Sequence, residues 1–233
     1  MPSEGSWLST WTELLTHAQS GDHVVQLYGK DDPLLAKNVS RYLAEGMRRA
    51  DGLVVIATPA HTQAIARHLA EEGASATREA ERGGRLVFLD ARATLDSLLV
   101  DGQPDEARFV SVVGGQLLAA RERSGSGKVR AFGEMVSLLW SEGRPSEAER
   151  LETQWNALLS WSVVSLYCAY GLDLFGRTWT RPRSTRSSAP TLTCSPGPVP
   201  CSRTAAPAPE TVYTLPRLLP AVPVGSFSFA ATP

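Results

Sequence analysis

The chain has 233 residues, 42% of them apolar, with 23 Lys and Arg against 24 Asp and Glu, enough apolar surface for a sizeable core and too much for wholesale disorder. Residues 1–175 hold 17 of the basic and 23 of the acidic side chains, so the body is mildly acidic and offers no basic stripe for direct contact with nucleic acid. No run approaches the roughly 20 apolar residues of a bilayer span, and Met1 to Trp11 lacks the basic-then-apolar order of an export signal, so the reading is a cytoplasmic protein with no membrane partner.

Residues 1–22 read as a helical lead-in. Five short runs rich in Val, Leu and Ile then follow at wide intervals: His23–Tyr28, Leu53–Thr58, Arg85–Asp90, Val129–Gly133 and Trp161–Ala169. The segments between them are long enough for crossover helices, which is the pattern of a parallel sheet covered on both faces. After the first run, Leu34, Val39, Tyr42, Leu43 and Met47 recur at helical spacing. In Glu147–Leu159 the same spacing places Ala148, Leu151, Trp155 and Leu158 on one face, with Pro145 near the start. The fold class is therefore α/β, with three layers around a parallel sheet.

Several positions at strand ends bear on function. Gly29-Lys30-Asp31-Asp32-Pro33 stands where a phosphate-binding loop would follow the first strand. Such a loop needs several Gly amides, then Lys and Ser or Thr; here one Gly and one Lys meet two carboxylates and a Pro without an amide hydrogen, so nucleotide hydrolysis is disfavoured. Ser124-Gly125-Ser126-Gly127-Lys128 resembles part of that loop but precedes a strand instead of opening a helix, and reads as a surface loop. Thr58-Pro59-Ala60-His61 reads as a helix start with Thr58 as cap and Pro59 in the first turn, or as part of a pocket at the C-terminal edge of the sheet, where open α/β folds place ligands. Asp90 ends the third strand, either as a helix cap or as a carboxylate facing that edge.

In Arg130-Ala131-Phe132-Gly133-Glu134-Met135 a strand delivers Glu134 to the same edge. Glu152 and Asn156, four residues apart, share a helix face; Glu152 suits either acid-base chemistry or an ion pair with Arg130. Tyr28 and Tyr170, near strand ends, are candidate aromatic walls. The candidate ligand-binding set is Tyr28, Thr58, His61, Asp90, Arg130, Glu134, Glu152, Asn156 and Tyr170. No catalytic triad is recognisable from spacing. The cysteines are Cys168, Cys194 and Cys201, odd in number and without CxxC spacing, so neither a disulfide framework nor a metal site is expected, no cofactor is implied, and Cys168 reads as a buried thiol.

From Gly176 the composition changes: residues 176–233 hold 11 of the 16 prolines, no Lys, no Asp and one Glu. Such a stretch cannot bury enough apolar surface to offset the entropy of ordering it, and it reads as a disordered Pro/Arg/Ser-rich tail, native or the product of a shifted reading frame.

Taken in order, His23-Val-Val-Gln-Leu-Tyr28, Thr58-Pro-Ala-His61, Leu89-Asp-Ala91, Asp101-Gly-Gln-Pro-Asp105, Arg130-Ala-Phe-Gly-Glu-Met135, Leu139-Trp140, Leu151-Glu152, Trp155-Asn156 and Cys168-Ala-Tyr170 resemble the methanogen/methylotroph, DcmR-type sensory domain (MEDS) over residues 23–175. The resemblance implies a RecA/KaiC-like fold without a working P-loop, a non-catalytic sensory role toward a small effector such as a hydrocarbon derivative, and an output partner of the histidine kinase, anti-sigma or DNA-binding regulator type. The rival readings are a protein-interaction module without small-molecule binding and an ATPase with an unorthodox phosphate site.

Overall fold

Strand β1 (His23–Tyr28) leads through helix α1 (Pro33–Arg48) to β2 (Gly52–Ala57), and α2 (Pro59–Arg82) leads on to β3 (Leu86–Asp90) in the computed structural model, which describes residues 15–29, 33–160, 163–171 and 212–215. Helix α3 (Ala91–Leu98) follows directly. A small hairpin comes next, β4 (Leu99–Val100) and β5 (Gln103–Pro104). Its two-residue turn is Asp101-Gly102, with φ of 49° and 76°, the paired left-handed conformations of a type I′ turn, which Asp and Gly tolerate best. A helical run of α4 (Glu106–Phe109), a π-helical turn (Val110–Gly114) and α5 (Gly115–Glu122) precedes β6 (Val129–Gly133), then α6 (Met135–Ser141), α7 (Pro145–Leu159) and β7 (Val164–Gly171).

The main sheet runs β3-β2-β6-β7-β1, all parallel, with β8 (Val212–Leu215) added antiparallel to the outer edge of β1. The five parallel strands start within three residues of the apolar runs read in the sequence. Four residues of the Pro-rich stretch thus act as an edge strand where a disordered tail was expected; the rest of residues 172–233, like 1–14 of the lead-in, lie outside the described residues. Trp161 and Ser162, at the start of the fifth apolar run, also lie outside them.

Alternation along the strands divides the interior into two cores, as a sheet covered on both faces requires. Val54, Ile56, Val129, Ala131, Val164, Leu166 and Cys168 face the layer of α3 to α7, where Phe109, Leu151 and Trp155 are buried. Leu53, Val55, Ala57, Phe132, Tyr167 and Ala169 face α1 and α2, where Val39, Tyr42, Leu43, Ile65 and Leu69 are buried. The periodicity of α7 holds throughout, since Ala148, Leu151, Trp155 and Leu158 are all in the core. In α1 it is offset at the first turn: Leu35 is buried and Leu34 is 40% exposed.

Candidate functional site

At the C-terminal edge of the sheet, four of the residues singled out in the sequence come together. Glu134 leaves the end of β6, where its backbone N–H donates to the Ile56 carbonyl at 3.1 Å. Its side chain is only 2% exposed. One carboxylate oxygen accepts the Thr58 backbone N–H at 2.7 Å, and the other meets Nδ1 of His61, one turn into α2. Tyr28, at the end of β1, sets its ring edge-on to the His61 imidazole with centroids 5.8 Å apart.

The electrostatics follow from these contacts. The Glu134 hydrogen bond raises the His61 pKa above its ordinary value, against the opposing effect of partial burial. Burial, helped by the Glu134 charge, raises that of the Tyr28 phenol, while a hydrogen bond with Ser137 acts the other way. Ser137, in the first turn of α6, belongs to the same cluster. A Ser inside an apolar helix carries no distinguishing spacing, so nothing in the sequence marks Ser137. Thr58 does occupy the cap position of α2 with Pro59 behind it, but its hydroxyl makes no capping bond; its backbone amide serves Glu134 instead. The arrangement sets a half-buried imidazole, held by a buried carboxylate, beside a phenol at the sheet edge.

The other five candidates are not part of this cluster. Asp90 is at the same edge, level with Ala57, but its carboxylate accepts the Ala93 N–H at 2.7 Å and caps α3. Tyr170 is level with Leu27 and packs against the core on the α7 side, whereas Tyr28 packs on the α1 side, so the two tyrosines are on opposite faces. Arg130 sits one residue into β6, at the N-terminal end of the sheet. Its partner is not Glu152: the guanidinium bonds Asp51 Oδ2 at 3.1 Å, because side-chain alternation turns Arg130 toward α1 while Glu152 projects from α7 on the far side of the sheet. Four carbonyls, of Leu15, Thr16, Ala18 and Tyr42, accept its remaining N–H groups, and the Tyr42 ring lies 4.9 Å beneath it. Gly46 makes room, since a Cβ there would lie 2.8 Å from the Arg130 side chain.

The Ser124–Lys128 segment belongs to this end too. Ser126 donates to Asp51 Oδ1 at 2.6 Å, and the amides of Gly127 and Lys128 go to hydroxyls of the segment itself at 2.9 and 3.1 Å, so the loop is a brace and not an anion cradle. A cavity of about 280 Å3, lined among others by Arg49, Asp51, Ser126, Lys128 and Arg130, opens here, at the opposite end of the sheet from His61 and Glu134. Its two buried charges already neutralise each other.

Glu152 and Asn156 do share a face of α7, and they meet β1 and β7. Asn156 Oδ1 lies 3.2 Å from His23 Nδ1. One ligand atom from each of His23, Glu152 and Cys168 lies within 4.8 Å of the other two, and neither His23 Nε2 nor Glu152 Oε1 has a hydrogen-bond partner. Burial pushes the Glu152 carboxyl up to about 8, the His23 imidazole down to about 4 and the Cys168 thiol well above its usual range. Cys168 is a free, buried thiol, as expected.

Residues 22–181 match the family model of the MEDS domain, described as the MEthanogen/methylotroph, DcmR Sensory domain. The chain belongs to this family. The match begins one residue before β1 and takes in every element through β7, so both the edge cluster and the His23 cluster fall inside the MEDS domain. No curated protein matches the chain. Membership gives a sensory, signalling role; among the described residues no helix is long and apolar enough to cross a membrane.

Proposed function

We propose that this MEDS domain is a non-catalytic cytoplasmic sensor that binds a small polar organic effector, of the size of a short hydrocarbon derivative, at the C-terminal edge of its sheet, in contact with His61 and Tyr28. The observation that carries the reading is the buried Glu134 carboxylate, which holds the Thr58 amide and the His61 imidazole at the ends of β2 and β6. Three elements, β1, α2 and α6, contribute Tyr28, His61 and Ser137 to one polar spot at the place where parallel α/β sheets take ligands. The ring nitrogen of His61 not engaged by Glu134 and the Tyr28 hydroxyl offer hydrogen bonds to an alcohol, aldehyde or carboxylate, and the Tyr28 ring offers apolar surface. In sequence, Gly29–Pro33 lacks the glycines and the Ser or Thr of a phosphate-binding loop, although residues 30–32 lie outside the described residues, and triphosphate chemistry is no part of this reading. For binding to carry a signal it must favour one of two conformations, and α2, which begins at the cluster, is placed to shift.

The test is thermal unfolding against a panel of small alcohols, aldehydes, carboxylates and halogenated one-carbon compounds. A ligand specific to the native state at 100 times its Kd stabilises by about 2.7 kcal/mol, which raises the midpoint by a few degrees. One class should do this for the wild type and fail with His61→Ala. No shift across the panel, or an equal shift in the variant, refutes binding at this edge. A second reading rests on Val110 and Leu118, 42% and 43% exposed on one helical run: a docking face for a kinase or transcription regulator. Partner capture that survives His61→Ala and is lost with Leu118→Glu would favour it.

A further inference from the structure

We propose that His23, Glu152 and Cys168 form a binding site for one divalent transition-metal ion of the zinc class, between the sheet and α7. This site is separate from the effector site, which lies at the sheet edge.

The three donors arrive from three elements. His23 opens β1, Cys168 stands in mid-β7 level with Val25, and Glu152 projects from α7. In a parallel pair the residues that match in register share a face, so His23, two places before Val25, and Cys168 both face the α7 layer. Helix α7 lies over them with Leu151 and Trp155 in the core, which brings Glu152 down onto the pair.

Two of the donor atoms are otherwise unexplained. His23 is 3% exposed, and its Nε2 has no partner; Glu152 Oε1 is buried without one as well. A buried polar atom left unpaired costs about 1–3 kcal/mol, and two of them beside a thiol indicate that something else satisfies them. The remaining imidazole nitrogen is already oriented. Asn156 Oδ1, at 3.2 Å, accepts from Nδ1–H and so leaves the Nε2 lone pair available to an ion. Metal-binding histidines are commonly held in this way by a carbonyl or carboxylate on the other nitrogen.

The donor chemistry selects the ion. A thiolate with an imidazole and a carboxylate suits zinc, cobalt or ferrous iron and excludes magnesium and calcium, which take oxygen ligands. Charge agrees: one thiolate and one carboxylate balance a divalent ion, so the occupied site is neutral in its apolar surroundings. The donors lie within 4.8 Å of one another, whereas bonds of about 2.0–2.3 Å in a tetrahedron set donors about 3.3–3.8 Å apart, so binding requires the side chains to draw in by up to about 1 Å. Three protein ligands leave a fourth position for water or a small exogenous ligand. The ion would tie α7 to β1 and β7.

The test is cobalt titration of the full chain, stripped of metal with a chelator. One equivalent of Co2+ should bind and give a thiolate-to-cobalt charge-transfer band in the near ultraviolet with four-coordinate bands in the visible, all removed by Zn2+. The Cys194→Ser/Cys201→Ser double variant should keep the charge-transfer band and Cys168→Ser should lose it. Asn156→Ala should weaken binding by about 10- to 100-fold, and Glu152→Gln by at least as much. Circular dichroism checks each variant; should Cys168→Ser fail to fold, the Glu152→Gln and Asn156→Ala affinities decide. Absence of the band in folded wild-type chain, its persistence in Cys168→Ser, or unchanged affinity in both α7 variants overturns the proposal and leaves buried water as the partner of these atoms.

Discussion

Arg130 and Asp51 show how much a single pair of residues can fix. Both are buried, at 2% and 3% exposure, and between them they bind β6, the turn before β2, the Ser126 loop, and the carbonyls of Leu15, Thr16, Ala18 and Tyr42. Removing one partner of a buried pair leaves the other charge without compensation, which costs about 3–5 kcal/mol. Arg130→Ala should therefore lower the unfolding free energy in urea by about that amount, and Asp51→Ala likewise, while the double variant should lose clearly less than the sum of the two. Strict additivity would show that the pair is not energetically coupled.

His61 makes a prediction with a sign. Its pKa is raised in the folded protein, so the folded state binds its proton more tightly than the unfolded chain does. The contribution is fully present below the ordinary histidine value of about 6.5 and is lost as pH rises through the folded pKa. The stability advantage of the wild type over His61→Gln should accordingly be largest in acid and shrink above neutrality. A difference that grows with pH would contradict the Glu134 contact. Tyr28, Thr58, His61 and Glu134 were all legible in the sequence, because each stands at or just past the end of a recognisable apolar strand, where the fold class puts ligands. The His23, Glu152 and Cys168 cluster was not. Cysteine spacing says nothing about a group assembled by the pairing of β1 with β7 and the docking of α7, and of the two readings open for Glu152 the ion pair with Arg130 fails because a sheet stands between them, which the sequence does not say.

At the scale of elements, close approach is the controlling quantity. Gly52 begins β2 against α5, and a Cβ there would lie 2.5 Å from the Ala120 carbonyl oxygen. Backbone is in the way, so the helix must move. Gly52→Ala should destabilise by about 1–3 kcal/mol, the usual cost of overpacking, read as a lower urea midpoint with unchanged slope. In the same core, Trp155 packs edge-on against Phe109 with centroids 5.2 Å apart and reaches within 3.5 Å of the space beside Gly133. Trp155→Ala should cost about 3–5 kcal/mol. The strands and α7 were legible because their apolar periods are strong and continuous. The β4–β5 hairpin and the π-helical turn were not, since two-residue strands leave no period to read and a π turn differs from an α-helix only in its hydrogen-bond step.

Across the whole molecule, the two cores share one sheet, and this sets where rigidity lies. Strands β2 and β6 have a hydrogen-bonded neighbour on each side and a helix layer on each face; β2 is buried at all six residues and β6 at all five. Their amides have no local route to solvent. In β3 there is one strand neighbour, and four of five residues are partly or fully exposed. Hydrogen exchange should therefore divide the sheet: amides of Val54 to Ile56 and of Ala131 and Phe132 should exchange only through global unfolding, with the free energy that urea gives, while those of β3 exchange through smaller openings. Equal protection in β3, or faster exchange in β6, would show that the cores do not unfold as one body around β2 and β6. The division bears on sensing, because Thr58 and Glu134 extend directly from the two most protected strands. A ligand at that edge meets one fixed side, the strand ends with Glu134, and one adjustable side, the first turns of α2 and α6 with His61 and Ser137. Binding should then leave β2 and β6 protection tied to global stability while slowing exchange selectively in the first turns of α2 and α6, the signature of a shift in helices over an unmoved sheet.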